Sequence, residues 1–144
     1  MLRRLTSTSS TWATVPLRLA LGIAFIGHGL QKVLGKFNGP GWAKWTSFSE
    51  MAPFPFMRPA WLWLGAAALA ELIGGILVLL GFFTRVGALL IVGVMVTAIA
   101  VLWPVFFAPA GIELAVAMLG MALALLIMGG GQASVDRMIG RGRR

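Results

Sequence analysis

Four long runs of apolar residues constrain the fold of this chain more than any other feature. They cover about residues 16–35, 60–80, 86–107 and 112–128. A helix needs roughly 20 apolar residues to cross the hydrocarbon of a bilayer, at about 1.5 Å per residue. Only 11% of the residues are charged, whereas soluble domains contain about 25%. We therefore expect an all-α integral membrane four-helix bundle.

Polar segments flank the apolar runs at both ends of the chain. We expect residues 1–14 to form a polar, basic N-terminal tail, residues 15–131 the four-span membrane domain, and residues 132–144 a basic C-terminal tail. The first run is longer than the h-region of a signal peptide, so we expect it to be retained. Only residues 82–85 join the second and third spans, which predicts a tight antiparallel hairpin.

The first loop contains a short amphipathic segment. Trp42, Trp45, Phe48 and Ala52 recur at helical spacing, with polar residues between them. This pattern predicts a helical turn or two at the bilayer interface, where the aromatic rings act as anchors. Proline and glycine residues on either side mark the rest of the segment as loop.

The basic residues behind the formal net charge of +8 are distributed unevenly between the two sides of the predicted bundle. With four spans, both termini and the hairpin lie on one side of the membrane. Seven basic residues fall on that side and three on the other: Arg3, Arg4, Arg85, Arg137, Arg141, Arg143 and Arg144, against Lys36, Lys44 and Arg58. The positive-inside rule then predicts a multi-pass protein of a bacterial inner membrane with both termini cytoplasmic. Because the charge is split between two faces, we expect no nucleic-acid partner.

The absence of Cys and the single His limit the redox groups that this chain can hold. Iron–sulfur clusters need thiolate ligands, and one His supplies one strong haem ligand. No G-x-G-x-x-G fingerprint follows a predicted strand, so flavin or nicotinamide binding has no support. We expect no metal site and no intrinsic cofactor.

Four ionisable side chains fall within the apolar spans, where a charge costs at least about 2.5–3.5 kcal/mol and normally faces a partner or a cavity. They are Arg18, His28, Lys32 and Glu71. At about 100° per residue, the first three share one face of the first span, with Gln31 beside it. Glu71 lies roughly 17 Å from the outer surface, at about 1.5 Å per residue. A Glu side chain is too short to reach water from there.

We therefore predict an inward-facing cluster of these four side chains between the first two spans, which Gly74 and Gly75 allow to pack closely. Other interpretations remain open for each member. Arg18 and Lys32 can extend to the headgroups, His28 can be an interhelical hydrogen bonder, and the carboxylate can belong to a structural ion pair. The carboxylate in the first turn of the fourth span, at residue 113, is predicted to favour the helix N-terminus.

A set of short motifs follows in a fixed order from Leu17 to Asp136. They are LRLALG at 17–22, Phe25, HGLQK at 28–32, ELIGG at 71–75, LGFFTR at 80–85 and GGGQASVD at 129–136. In order and spacing they resemble the DoxX family of small bacterial membrane proteins. The family's ending usually has Pro between two glycines, where this chain has Gly130.

The resemblance implies a four-helix membrane bundle associated with a redox system. Its relatives include the quinone-reducing subunit of thiosulfate:quinone oxidoreductase and a mycobacterial partner of thiosulfate-handling and superoxide-detoxifying proteins. We accordingly expect a quinone-linked membrane subunit whose electron donor is a partner protein. His28 and Glu71 would be catalytic, through hydrogen bonding and proton relay. The quinone-binding set would be Arg18, His28, Gln31, Lys32 and Glu71.

A second interpretation is a non-catalytic accessory subunit that stabilises or docks on a larger respiratory or photosynthetic membrane complex. In that case the polar cluster only locks the first two spans together. The expected partners are the lipid bilayer with other membrane or peripheral redox proteins, or with the larger complex. A transporter or channel is disfavoured, because four spans leave little room for a pore and paired discontinuous helices are missing.

Overall fold

The computed structural model describes residues 6–107 and 111–141, which form helices joined by short loops. Four apolar helices are α1 (Thr14–Leu34), α3 (Ala60–Leu80), α4 (Thr84–Leu102) and α5 (Ile112–Met128). Two short α-helices are α2 (Gly41–Thr46) and α6 (Val135–Arg141), and a 3-10 turn covers Ser49–Met51. No strand occurs in the described ranges. The predicted all-α membrane bundle is confirmed.

Three of the described helices, α1, α3 and α4, are long and apolar enough to cross a membrane. Helix α5 is apolar but shorter, with 17 residues. Four of the basic residues used to predict sidedness, Arg3, Arg4, Arg143 and Arg144, lie outside the described residues, as does the side chain of Arg141. The cytoplasmic location of the termini therefore stays a prediction.

Helices α3 and α5 begin and end at the expected residues, whereas α4 differs at both ends. It begins at Thr84 instead of residue 86, because a carboxylate from another segment binds its first N–H groups, as described below. It ends at Leu102 instead of residue 107. Pro104 lacks an N–H and disfavours helical geometry at Trp103, which is extended.

Glycines set the distance between the helices. A Cβ atom at Gly75 would lie 2.8 Å from the backbone nitrogen of Ile26, so α3 and α1 touch through the backbone at this point. The prediction for Gly75 is therefore confirmed. Gly74 instead faces α4, where a Cβ would lie 3.1 Å from the carbonyl oxygen of Gly87. Its predicted contact with the first span is wrong, since adjacent residues of a helix point about 100° apart.

The predicted short helix of the first loop is present as α2 and is attached to the start of α3. The Trp45 indole Nε1 donates a hydrogen bond of 2.8 Å to the carbonyl of Leu64. A Cβ atom at Gly65 would lie 2.9 Å from the Trp42 ring, so this ring packs on the α3 backbone. The segment thus packs on the bundle as well as carrying aromatic side chains.

The described parts of the two polar ends, residues 6–13 and 132–141, pack on the bundle. In this they differ from the tails predicted for residues 1–14 and 132–144. The N–H of Ser9 donates to the carbonyl of Met128 at 2.8 Å, and residues 135–141 form α6. The physical reason is that carbonyls at a helix C-terminus have no intrahelical donor. The N-terminal segment supplies one.

Candidate functional site

An ion pair between α1 and α3 forms the polar centre of the bundle. The Lys32 ammonium donates to Oε1 of Glu71. Glu71 is only 3% exposed, and its Oε2 is buried without a hydrogen-bond partner in the described part of the chain. The Lys32 Nζ also lies 4.5 Å from the centroid of the Trp45 ring, a favourable cation–π contact. The pair therefore keeps a free carboxylate oxygen inside the protein.

A cavity of about 570 Å³ opens beside this pair and is called the larger cavity here. The first loop, α3 and α4 supply its walls, which are mainly apolar. They include Met57, Trp63, Leu64, Leu90, Val94 and Val101. Lys32, Glu71 and Trp45 also line the cavity. Binding sites for small molecules have this character, an apolar volume with a few polar groups placed at one point.

A second cavity of about 290 Å³, the smaller cavity, is lined by residues of α1, α3, α4 and α5. Four ionisable side chains meet in it, namely His28, Lys32, Glu71 and Glu113. Oε2 of Glu113 is buried and has no hydrogen-bond partner among the residues described. Lys32 and Glu71 line both cavities. The ion pair thus stands between an apolar space and a polar one.

Of the other predicted site residues, His28 joins the pair and Gln31 does not. His28 is exposed and lines the smaller cavity with Glu71. The Gln31 side chain donates to the carbonyl of Phe37 at 3.5 Å, just past the end of α1. Gln31 lines neither cavity. The structure therefore brings together His28, Lys32 and Glu71.

The prediction that Arg18 belongs to the cluster is wrong. Its buried guanidinium donates to four backbone carbonyls, three of them at 2.9–3.1 Å. The acceptors are Val78, Leu79, Gly130 and Ala133. Two of them end α3, about two helical turns from Glu71. Carbonyls in the last turn of a helix lack their usual intrahelical donor, although that of Val78 also accepts from the Gly81 N–H. The five N–H groups of a guanidinium can satisfy several acceptors at once.

Asp136 was not predicted as a site residue. It lies at the same end of the bundle as Arg18 and is 1% exposed. Its carboxylate accepts hydrogen bonds of 2.8 and 2.9 Å from the N–H groups of Phe83 and Thr84, and one of 2.8 Å from the Thr84 hydroxyl. It thereby caps the start of α4, which favours negative charge. We call Arg18 and Asp136, with these backbone partners, the latch. The latch gives the motifs at 80–85 and 129–136 a structural role.

Glu113 was also missed as a member of the site. From sequence it is a carboxylate near a helix N-terminus, but in the structure it lines the smaller cavity with Glu71. One signal was available, because Glu71 and Glu113 are the two carboxylates within the four apolar runs. Two buried carboxylates in a membrane bundle are expected to face a shared polar space.

Comparison with known proteins identifies the family of the chain. A family model described as DoxX matches residues 13–108, two thirds of the chain. The matched region includes α1 to α4, and with them the ion pair and the larger cavity. Glu113 and Asp136 lie beyond its end. Neither a curated protein nor a solved structure matches the chain.

Proposed function

Because the chain belongs to the DoxX family, we propose that it is a membrane subunit of a redox system that binds a quinone beside the Lys32–Glu71 pair. The observation that carries this proposal is an apolar cavity that reaches a buried ion pair. The electron donor is assigned to a partner protein, since the chain has no Cys and one His. The excess of basic residues near the termini favours a bacterial inner membrane with both termini cytoplasmic.

The residues of the larger cavity fit a quinone. Such a ligand needs a hydrogen-bond donor for a ring carbonyl and an apolar space for its ring and tail. Lys32 is the donor, because an ammonium has three N–H groups and Glu71 accepts one of them. Side chains such as Met57, Leu64 and Val94 supply the apolar wall. A bound quinone would supply a two-electron, two-proton acceptor.

Three side chains have distinct roles in this proposal. Lys32 orients the ligand by donating to its carbonyl oxygen. Glu71 holds a proton on its free Oε2 and transfers it towards the ligand, since Oε1 is engaged by Lys32. His28 exchanges protons with Glu71 from the smaller cavity, because its ring has both a donor and an acceptor nitrogen when neutral.

A pair of glycines tests the ligand site. Gly93 lines the larger cavity, and a Cβ placed there would meet no atom within 4 Å. Gly93→Leu should therefore narrow the cavity and weaken quinone binding about tenfold, a loss of about 1.4 kcal/mol. The measurement is equilibrium binding of a short-tailed quinone to the purified protein in lipid nanodiscs.

Gly120 supplies the matched control. It is also an exposed glycine inside an apolar helix with no atom within 4 Å of an added Cβ, but it lines neither cavity. Gly120→Leu should bind the quinone with wild-type affinity. Equal affinities for the two leucine variants would contradict the assignment of the larger cavity.

An accessory subunit is the second candidate, favoured by one observation. The Lys32–Glu71 pair joins α1 to α3, and an ion pair of this kind satisfies both charges without any ligand. On this alternative, purification in mild detergent should recover a stoichiometric large complex. That complex would keep its full activity when the present chain is deleted, whereas a quinone-reducing subunit would be required for it.

A further inference from the structure

The smaller cavity has a role of its own if the proposed function holds. We infer that Glu113 and His28 form a proton route that connects Glu71 to the side of the membrane where the first loop lies. The route deepens the proposed function and rests on it. It adds Glu113 to the site and fixes the side from which the protons come.

The first observation is a pair of unsatisfied carboxylate oxygens. Oε2 of Glu71 and Oε2 of Glu113 are both buried and have no hydrogen-bond partner in the described ranges. A buried polar atom without a hydrogen-bond partner is unfavourable, and buried water commonly supplies the missing bond. At about 30 Å³ per molecule, the cavity of about 290 Å³ has room for several waters. Both residues line this space, so water there can connect the two carboxylates.

The second observation is that one end of the bundle supplies the polar lining. His28 and Lys32 belong to the last two turns of α1, and Glu113 to the first turn of α5. Leu102, the last residue of α4, lines the same cavity. All these helix ends lie on the first-loop side. The cavity therefore approaches the membrane surface on that side.

The third observation is that buried hydrogen bonds join the described elements at the opposite end. The Arg18 guanidinium lies between the end of α3 and the segment after α5 and donates hydrogen bonds to carbonyls of both. Asp136 fixes the start of α4 at the same level. Among the described residues, those of the latch line neither cavity. The polar lining around Glu71 therefore lies on the first-loop side.

The transfer itself moves one proton at a time. A proton from water on the first-loop side passes to Glu113, and then through cavity water and His28 to Oε2 of Glu71. From there it moves to the ligand, and Glu71 returns to its carboxylate form. Oε1 remains bound to Lys32 throughout, so that the charge of the ion pair is restored after each proton. The electrons arrive separately, from the partner redox protein.

Thiol labelling tests the access side directly, because the native chain contains no Cys. Ala115→Cys places a thiol in the smaller cavity, and Met118→Cys is a second position there. Ala122→Cys is the matched control, since Ala122 is on the same helix, is 0% exposed and lines neither cavity. The probe is a charged, membrane-impermeant methanethiosulfonate added to sealed vesicles of known orientation.

We expect both cavity thiols to react from the first-loop side at least about tenfold faster than the Ala122→Cys control. Reagent on the side of the termini should give no such excess. If the cavity thiols are as unreactive as the control, or react faster from the side of the termini, the proton route is overturned.

A second measurement tests Glu113 itself. In membranes that contain the native partners, Glu113→Gln should lower kcat for quinone reduction about tenfold with KM unchanged. Glu113→Asp keeps a carboxyl group and should retain most of the rate. An unchanged kcat in Glu113→Gln would overturn the assignment. The two proposals can fail separately. Thiol labelling needs no quinone and tests only the access side of the cavity. A wild-type protein that binds no quinone would refute the proposed function alone.

Discussion

Replacing Arg18 by Ala should lower the free energy of unfolding by about 3–5 kcal/mol. The guanidinium is buried and donates to four carbonyls, at the end of α3 and after α5. Without it, all four carbonyls lose the donor that Arg18 supplies. Those of Val78 and Gly130 each keep one other donor, the Gly81 N–H and the Thr14 hydroxyl respectively. Arg18→Lys should give an intermediate loss, because one ammonium cannot reach all four carbonyls with the planar geometry of a guanidinium.

Unfolding of the purified protein by sodium dodecyl sulfate, followed by helical circular dichroism, measures this loss. Leu19→Ala is the control, since Leu19 is adjacent on α1 and 48% exposed, and exposed substitutions usually change stability by less than about 0.5 kcal/mol. Quinone affinity should be unchanged in Arg18→Lys, which lies about two turns from the ion pair. Wild-type stability in Arg18→Ala would contradict the latch.

The second large effect is expected at the ion pair, where replacing both residues should restore stability but not quinone reduction. Lys32→Met leaves the buried Glu71 carboxylate without its partner, and Glu71→Gln leaves the ammonium without its acceptor. Each single change should destabilise the protein by about 3–5 kcal/mol, whereas the double variant should recover most of that loss. Quinone reduction should fall at least about 100-fold in all three proteins, because either the donor or the proton-carrying group is missing.

The double variant decides between the two candidate functions. Stability is measured by detergent unfolding, and quinone reduction in membranes that contain the native partners. If the double variant is stable and also reduces quinone at the wild-type rate, the pair is only a lock between α1 and α3. That outcome would favour the accessory subunit. A stable but inactive double variant agrees with the quinone site.

Much of the bundle follows from local sequence. The apolar runs and the glycines after them predict where α3 and α5 begin and end, because both signals act within one turn of the boundary. The start of α4 could not be predicted in this way. It depends on Asp136, which is 52 residues away from Thr84, and a cap from a distant segment leaves no periodic signal.

The site was predicted in part, for a similar reason. Helical periodicity correctly puts Lys32 on the face that meets Glu71, and it also puts Arg18 on that face. Periodicity gives the face of the helix on which a side chain lies. It does not give the groups of other segments that lie at the same depth in the membrane. Arg18 donates to carbonyls in the last turn of α3 instead of to the Glu71 carboxylate. Glu113 comes from a different helix, so that only the packing of α5 reveals its contact with the smaller cavity.

A photoreactive quinone tests the central claim most directly. The probe is an azidoquinone bound to the wild-type protein in nanodiscs, cross-linked by light and located by peptide mass spectrometry. The account predicts cross-links on cavity residues of α3 and α4, such as Leu64 and Val94, which excess unlabelled quinone prevents. Cross-links that survive competition, or that fall on exposed outer residues such as Leu19 and Ile127, would contradict it.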